Sequence, residues 1–131
     1  AIVDPHATDI VFSSGAPIRA VGLDITWQVS MTPTEVSQQF EGDNLLEIVL
    51  DWSSVWFQER ELLHFHDPLA AALLFKPELC SFVSGDVKTE LKDQETLGVT
   101  HFKTNPRGPI KVASSVDQQS FFAEYFGAFV S

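Results

Sequence analysis

Apolar side chains recur at three- and four-residue spacing in several stretches of the chain, a pattern that predicts amphipathic helices. The first helix is capped by Asp4 and ends at Gly15, and the second starts at a capping box over residues 32–35 and runs toward Phe40. A third helix, capped by Asp43, has one apolar face. The members of that face are Leu45, Ile48, Val49, Trp52, Val55 and Trp56.

The later helical segments are richer in apolar residues. Residues 69–75 are apolar all round, which predicts burial on nearly every side, and Pro77 ends the segment. Asp117 is placed to cap a last helix that has an aromatic stripe. Such a stripe is typical of core packing, and it consists of Phe121, Phe122, Tyr125, Phe126 and Phe129.

The remaining segments predict strands. Residues 16–26 lack helical spacing and favour a buried strand with Asp24 near its end, and three β-rich segments follow at residues 80–91, 99–103 and 110–114. We therefore predict an α/β fold with a small, mostly parallel sheet flanked by helices and an antiparallel hairpin extension around residues 105–109. No repeat or linker divides the chain, so residues 1–131 are expected to form a single domain.

Charge and composition exclude several partner classes. The chain of 131 residues carries a formal charge of -10, which repels nucleic-acid phosphates and anionic lipid, so neither nucleic acid nor membrane is expected as a partner. No apolar run approaches the roughly 20 residues of a bilayer span, and residues 1–9 lack the features of a signal peptide. Cys80 is the single cysteine, so an intrachain disulfide is impossible. We expect a soluble protein of a reducing compartment, the cytoplasm.

One dense cluster of candidate chemistry stands out, formed by His64, His66 and Asp67 just before Pro68. The sequence has no phosphate-binding loop, dinucleotide fingerprint or serine elbow. The local pattern also fits a simple helix start in which the Asp67 side chain accepts backbone N–H bonds and Pro68 takes the first helical position. A zinc site built on the two histidines would need further ligands that the sequence does not place.

The cluster and its surroundings resemble the inosine-uridine preferring nucleoside hydrolases. H-D-P-L-A-A-A at residues 66–72 and K-P-E-L at residues 76–79 are similar to the family's H-D-P-L-A-x-A and x-P-E-L. D-P-H-A at residues 4–7, I-V-F-S-S-G-A-P-I at residues 10–18 and V-G-L-D-I-T at residues 21–26 resemble its D-P-E-A, V-x-x-S-G-x-P-I and V-G-L-D-V-T. The blocks occur in family order and cover nearly the whole chain.

The resemblance implies a calcium-dependent nucleoside N-ribohydrolase of purine or pyrimidine salvage, which converts a nucleoside and water to ribose and a nucleobase. By similarity, Asp67 is a Ca2+ ligand and His66 donates a proton to the leaving base, while His64 lies on the substrate side. Hard carboxylate oxygens suit Ca2+, and acid assistance suits the departure of a base.

The match is to the carboxy-terminal half of the family fold. The family's amino-terminal aspartate cluster, with most of its calcium ligands and the water-activating base, has no counterpart in this chain. We therefore expect the isolated chain to be inactive, and to form a homo-oligomer or to associate with the missing amino-terminal half. The alternative is a non-catalytic binding protein with a hydrolase-like fold. Trp27, Trp52 and Trp56 could then serve a contact surface, although tryptophans are core residues by default.

Overall fold

A computed structural model describes residues 1–129, which form two compact units. The first unit combines residues 1–21 with 81–114, and the second combines residues 22–80 with those from 115 onward. In chain order the elements are α1 (Pro5–Ser13), β1 (Ile18–Ala20), α2 (Leu23–Thr26), β2 (Ser30–Met31), α3 (Pro33–Phe40), α4 (Asn44–Trp56), β3 (Leu63–His64), α5 (His66–Ala72), a 3-10 turn (Pro77–Leu79), β4 (Cys80–Thr89), β5 (Thr100–Thr104), β6 (Ile110–Val116) and α6 (Gln118–Gly127).

A four-stranded sheet in the order β1-β6-β4-β5 dominates the first unit. β1 pairs in parallel with β6, with Ile18 opposite Ile110, and β4 pairs antiparallel with β5. The Ser114 hydroxyl donates to the Ser81 carbonyl at 3.3 Å, while Gly108 lies against Gly85. The residue number falls from 114 to 108 on the β6 side while it rises from 81 to 85 on β4, so β6 and β4 run antiparallel as well. The predicted α/β class is confirmed, and its sheet is mixed.

The parallel part of the sheet is smaller than expected, because the strand predicted over residues 16–26 is only three residues long. After Gly22 the backbone turns into α2, where the N–H groups of Ile25 and Thr26 both donate to the Gly22 carbonyl at 3.1 Å. The pattern of buried Ile25 and Thr26 beside exposed Leu23 and Trp27 is helical, but four residues are too few to reveal it in the sequence.

The antiparallel hairpin joins β4 to β5, whereas the prediction placed a hairpin around residues 105–109. The strands on either side of residues 105–109 are β5 and β6, and they do not pair with each other because β4 lies between them. The prediction is therefore wrong about which strands form the hairpin, since this loop crosses β4. The Asn105 N–H donates to the Ser84 carbonyl at 3.0 Å at one end of the loop. At the other end, a Cβ on Gly108 would collide with the backbone of Gly85. This close approach of the loop to the β4 backbone requires glycine at position 108.

The second unit contains α2 to α6 and a two-stranded antiparallel sheet of β2 and β3. Its helix starts follow the predicted caps. Thr32 and Glu35 form the reciprocal capping box of α3. At the start of α4, the Asp43 carboxylate accepts from the backbone N–H groups of Leu45 and Leu46 at 2.9 and 3.0 Å. At the start of α6, the Asp117 carboxylate accepts from the Ser120 N–H at 3.0 Å. These contacts satisfy N–H groups that have no partner within a helix.

The core of the second unit is built from α3, α5 and α6 together with the residue before β2. Its largest fully buried side chains are Phe40, Phe121, Leu69, Val29 and Val36. The aromatic stripe of α6 is core packing, as predicted, because Phe121 is fully buried and its neighbours pack around it. Residues 69–75 are buried on one side only, contrary to the prediction. Leu69 and Leu73 are buried, whereas Leu74 and Phe75 are exposed after α5 ends at Ala72.

The apolar face of α4 is exposed. The buried residues of α4 are Leu46 and Ser53, on a different side of the helix. We define the α4 stripe as the six exposed residues Leu45, Ile48, Val49, Trp52, Val55 and Trp56. Trp27, the C-cap residue of α2, is also exposed, so the default assignment of the three tryptophans to the core is wrong for this chain. Apolar periodicity identifies a face that avoids water, but does not identify what covers it.

Candidate functional site

The two-stranded sheet of β2 and β3 positions the candidate cluster. Ser30 pairs with His64 and Met31 with Leu63 in antiparallel register, and the Phe65 N–H extends this pairing by donating to the Val29 carbonyl at 2.9 Å. α5 begins with the next residue, His66. The cluster thus lies where a short strand turns directly into a helix, and main-chain bonds fix its first part.

Phe65 anchors this strand-to-helix junction in the core. Its side chain is buried, and its ring lies 5.1 to 6.4 Å, centroid to centroid, from four rings of α6. All four contacts are edge-on, the arrangement that the charge distribution of aromatic rings favours. The four rings belong to Phe121, Phe122, Tyr125 and Phe126. With Phe65 held in this way, the residues on either side of it are held too.

His64 and His66 lie on either side of Phe65 in the chain and stack on each other. Their ring centroids are 5.4 Å apart with an interplanar angle of 21°, and both residues are partly buried. The Nδ1 atom of His64 is buried and has no hydrogen-bond partner among the described residues 1–129. An N–H there would be a buried donor without an acceptor, so the geometry favours a proton on Nε2 of His64.

His66 has a specific polar partner. Its Nδ1 atom lies 2.6 Å from the hydroxyl of Thr26, a buried residue of α2 that precedes it by 40 positions. The sequence pattern does not single out Thr26, because the spacing of residues 16–26 predicts a strand and not the helix in which Thr26 lies. The available signal was the V-G-L-D-I-T block, whose last residue is Thr26 and which belongs to the family resemblance.

Asp67 is the exposed second residue of α5. The simple alternative made its side chain the cap of this helix with Pro68 first, but the cap position is Phe65 and carries no side-chain hydrogen bond. The Asp67 carboxylate is therefore available at the surface near the helix start, where partial positive charge favours an anion. Within residues 1–129, no three His, Cys, Asp or Glu side chains converge on a point where they could hold a metal ion.

The structure therefore brings the three predicted residues His64, His66 and Asp67 together at one junction and adds Thr26 to them. Chemically, the junction offers two imidazoles and one free carboxylate, which are groups for proton transfer and for hard-cation binding. The helices described for residues 1–129 include none with the length and apolar content needed to cross a bilayer.

Comparison with known proteins gives a consistent result. Residues 1–123 match the family model described as inosine-uridine preferring nucleoside hydrolase. The pyrimidine-specific ribonucleoside hydrolase RihA of Salmonella paratyphi C is 32% identical over an alignment 131 positions long, which covers 91% of this chain and 42% of that protein. The chain therefore spans less than half the length of this curated relative.

Solved structures agree in fold. The plant nucleoside hydrolase PpNRh1 superposes with a TM-score of 0.81 at 26% identity, covering 94% of this chain and 44% of that one. The purine-preferring ribonucleoside hydrolase of Gardnerella vaginalis superposes with a TM-score of 0.76 at 27% identity, covering 94% of this chain and 42% of its own.

Proposed function

We propose that this chain, which belongs to the family of inosine-uridine preferring nucleoside hydrolases, forms the leaving-group side of a nucleoside N-ribohydrolase. The reaction converts a nucleoside and water to ribose and a nucleobase. The observation that carries the proposal is the junction itself, where His66 and Asp67 are adjacent at the start of α5 in a chain whose residues 1–123 match the family.

We assign to His66 the assistance of the leaving base through a hydrogen bond. Departure of a nucleobase leaves negative charge on the base, and a positioned N–H donor stabilises that charge. The ring of His66 is fixed on one face by His64 and at Nδ1 by Thr26, which leaves Nε2 for a bound base. His64 contributes a second imidazole on the substrate side. The His66 assignment predicts that His66 variants lose leaving-group assistance without losing the fold.

We assign Asp67 as a ligand for Ca2+. The fit rests on its donor chemistry, because an exposed carboxylate with no capping duty offers hard oxygens to a cation. When bound, the ion would orient the ribose hydroxyls and lower the pKa of a water molecule. Ca2+ takes six to eight oxygens, and one carboxylate supplies two at most. Asp67 is therefore one member of a ligand set whose other members lie outside the described residues 1–129.

The isolated chain is accordingly expected to be inactive. With inosine or uridine as substrate and Ca2+ present, the 131-residue chain should release no free base above background, because the described residues 1–129 offer no group of three potential metal ligands to hold the ion that would activate water. The amino-terminal part of the Salmonella relative, fused ahead of Ala1 or supplied separately, should restore Ca2+-dependent release. Robust hydrolysis by the isolated chain would refute the assignment.

Two alanine variants test the metal role in the restored enzyme. Asp67→Ala should abolish the restored activity, because it removes a ligand of the ion. Asp51→Ala is the matched control, since Asp51 is also an exposed aspartate of the second unit, on α4, and should leave the activity unchanged. Equal activity of the two variants would exclude Asp67 from the metal site.

The α4 stripe supports a proposal about association. Six large apolar side chains on one helix are exposed, and the Trp52 side chain alone is 71% exposed. Soluble monomers rarely expose contiguous apolar patches of this kind. We assign the stripe to contact with the complementary half of the hydrolase fold, and in the isolated chain to contact with a second copy. The same stripe favours the alternative of a non-catalytic binding protein. That alternative predicts association without restored hydrolysis in the fusion experiment.

A further inference from the structure

We infer that Thr26 is a positioning residue that holds the imidazole of His66 in the tautomer with its proton on Nε2. The inference deepens the proposed function, since it rests on His66 as the group that assists the leaving base. It assigns to α2, a helix of four residues, the task of setting which nitrogen of His66 carries the proton.

The contact between the two side chains is short and sheltered. The Thr26 hydroxyl oxygen lies 2.6 Å from Nδ1 of His66, and the Thr26 residue is 4% exposed. A helical threonine commonly turns its hydroxyl back to a carbonyl three or four residues earlier. Among the described residues, the Thr26 hydroxyl instead pairs with His66. The backbone of α2 is fixed independently, because the Thr26 N–H donates to the Gly22 carbonyl at 3.1 Å.

The direction of this hydrogen bond follows from what each group can offer. A neutral imidazole has one N–H and one lone pair, whereas a hydroxyl has one proton to donate. If Nδ1 carried the proton, the Thr26 hydroxyl would accept it and would need a second partner for its own buried O–H, and the structure gives Thr26 no such acceptor within residues 1–129. A buried donor without an acceptor is costly. The hydroxyl therefore donates to Nδ1, and the proton of His66 resides on Nε2.

The tautomer decides what His66 can do for a bound nucleobase. The Nε2–H group of the neutral ring donates a hydrogen bond to an acceptor atom of the base as negative charge develops there, and it keeps its proton because transfer would leave an imidazolate. In the opposite tautomer the free nitrogen would present a lone pair, which accepts protons and repels the same acceptor atom. His64 stacks against the ring at 5.4 Å and restricts its rotation, so Thr26 and His64 together hold both the tautomer and the orientation.

Nuclear magnetic resonance of the 131-residue chain tests the tautomer directly and needs no activity. Histidine labelled with 15N is observed at a pH of about 8.5, well above the usual imidazole pKa, and His66→Gln identifies the signals of His66. In the wild-type chain Nδ1 should be of the unprotonated type and Nε2 of the protonated type. The Thr26 hydroxyl proton should exchange slowly and correlate with Nδ1. A protonated Nδ1 in the wild-type chain would overturn the inference.

Two substitutions at Thr26 separate the hydroxyl from the packing. Thr26→Val keeps the shape of the side chain and removes the hydroxyl, so the hydroxyl correlation should vanish and the shift of Nδ1 should change. Thr26→Ser keeps the hydroxyl and should retain the wild-type histidine signals. A Thr26→Val chain whose His66 signals match the wild type would also overturn the inference. If circular dichroism shows that the valine variant does not fold, the wild-type and serine spectra still show which nitrogen of His66 carries the proton.

The restored enzyme provides the kinetic readout. Thr26→Val should lower kcat for inosine or uridine by about tenfold or more, and Thr26→Ser should recover most of it. Hydrolysis of p-nitrophenyl riboside, whose phenolate departs without a proton, should change by about twofold or less. An equal loss on both substrates would mean that Thr26 acts through general packing and would overturn the positioning role. If no hydrolysis can be restored at all, the proposed function fails, while the spectra still test Thr26 by themselves.

Discussion

Replacing Phe65 with alanine removes the ring that anchors the strand-to-helix junction. The residue is 3% exposed and its ring meets four rings of α6 edge-on. Burial of a phenylalanine side chain is worth about 1.5–3 kcal/mol, and the cavity left by its removal raises the total for Phe→Ala to about 3–5 kcal/mol. Four aromatic pairs lost together place Phe65→Ala in the upper part of that range.

A loss of this size is large against the stability of a typical domain, about 5–15 kcal/mol. Urea unfolding followed by far-ultraviolet circular dichroism measures it, because α2 to α6 lie in the second unit and dominate the helical signal. The matched control is Phe75→Ala, which deletes the same side chain where it is 82% exposed and should cost less than about 0.5 kcal/mol. If Phe65→Ala costs less than about 1 kcal/mol, or no more than Phe75→Ala, the anchoring role is wrong.

Three further outcomes follow from the described contacts. Hydrogen bonds from the Ser120 backbone and hydroxyl lower the pKa of Asp117 below its usual value of 3.8. The charged carboxylate therefore stabilises α6 at pH values above 3.8, and this stabilisation is lost as the pH falls through the lowered pKa. Asp117→Asn should therefore be less stable than wild type near neutral pH, with a difference that shrinks in acid; a difference independent of pH in urea titrations would contradict this. Burial raises the pKa of the Cys80 thiol, so alkylation at mildly alkaline pH should be slow in the folded chain and fast in denaturant, and equal rates would place the thiol at the surface. Trp52→Lys should shift the isolated chain toward monomer in sedimentation experiments, whereas the exposed control Leu74→Lys should not, and an unchanged distribution would exclude the α4 stripe from the contact.

The sequence predicts the parts of the fold that local chemistry determines. The carboxylates of Asp4, Asp43 and Asp117 cap their helices as expected, because a cap is a contact between residues at most a few positions apart. The same reasoning fails at α5. There the helix starts one residue before Asp67, because Phe65 is fixed by rings of α6 more than 50 positions later in the chain, an interaction that no local pattern reveals.

The candidate site divides in the same way. His64, His66 and Asp67 lie within four positions of one another, so the sequence alone singles them out as a cluster. The roles that the family resemblance gives them are predictions. Thr26 reaches His66 across 40 positions through a tertiary contact, and its helix is too short to leave a periodic signal. The α4 stripe shows the reverse case. Its periodicity correctly predicts one apolar face of the helix but does not predict that this face is exposed, because burial depends on a partner surface.

All three tryptophans of the protein, Trp27, Trp52 and Trp56, are exposed and belong to the second unit. This arrangement makes the chain its own fluorescent reporter. An indole in water emits at longer wavelength than one in an apolar contact, so covering the α4 stripe should move the emission of Trp52 and Trp56 to shorter wavelength. Trp56 is already partly constrained, because its indole N–H donates to the Leu62 carbonyl at 3.0 Å and Arg60 lies over its ring. Trp52 is therefore expected to be the more responsive of the two, and covering of the α4 stripe can be followed optically without any attached label.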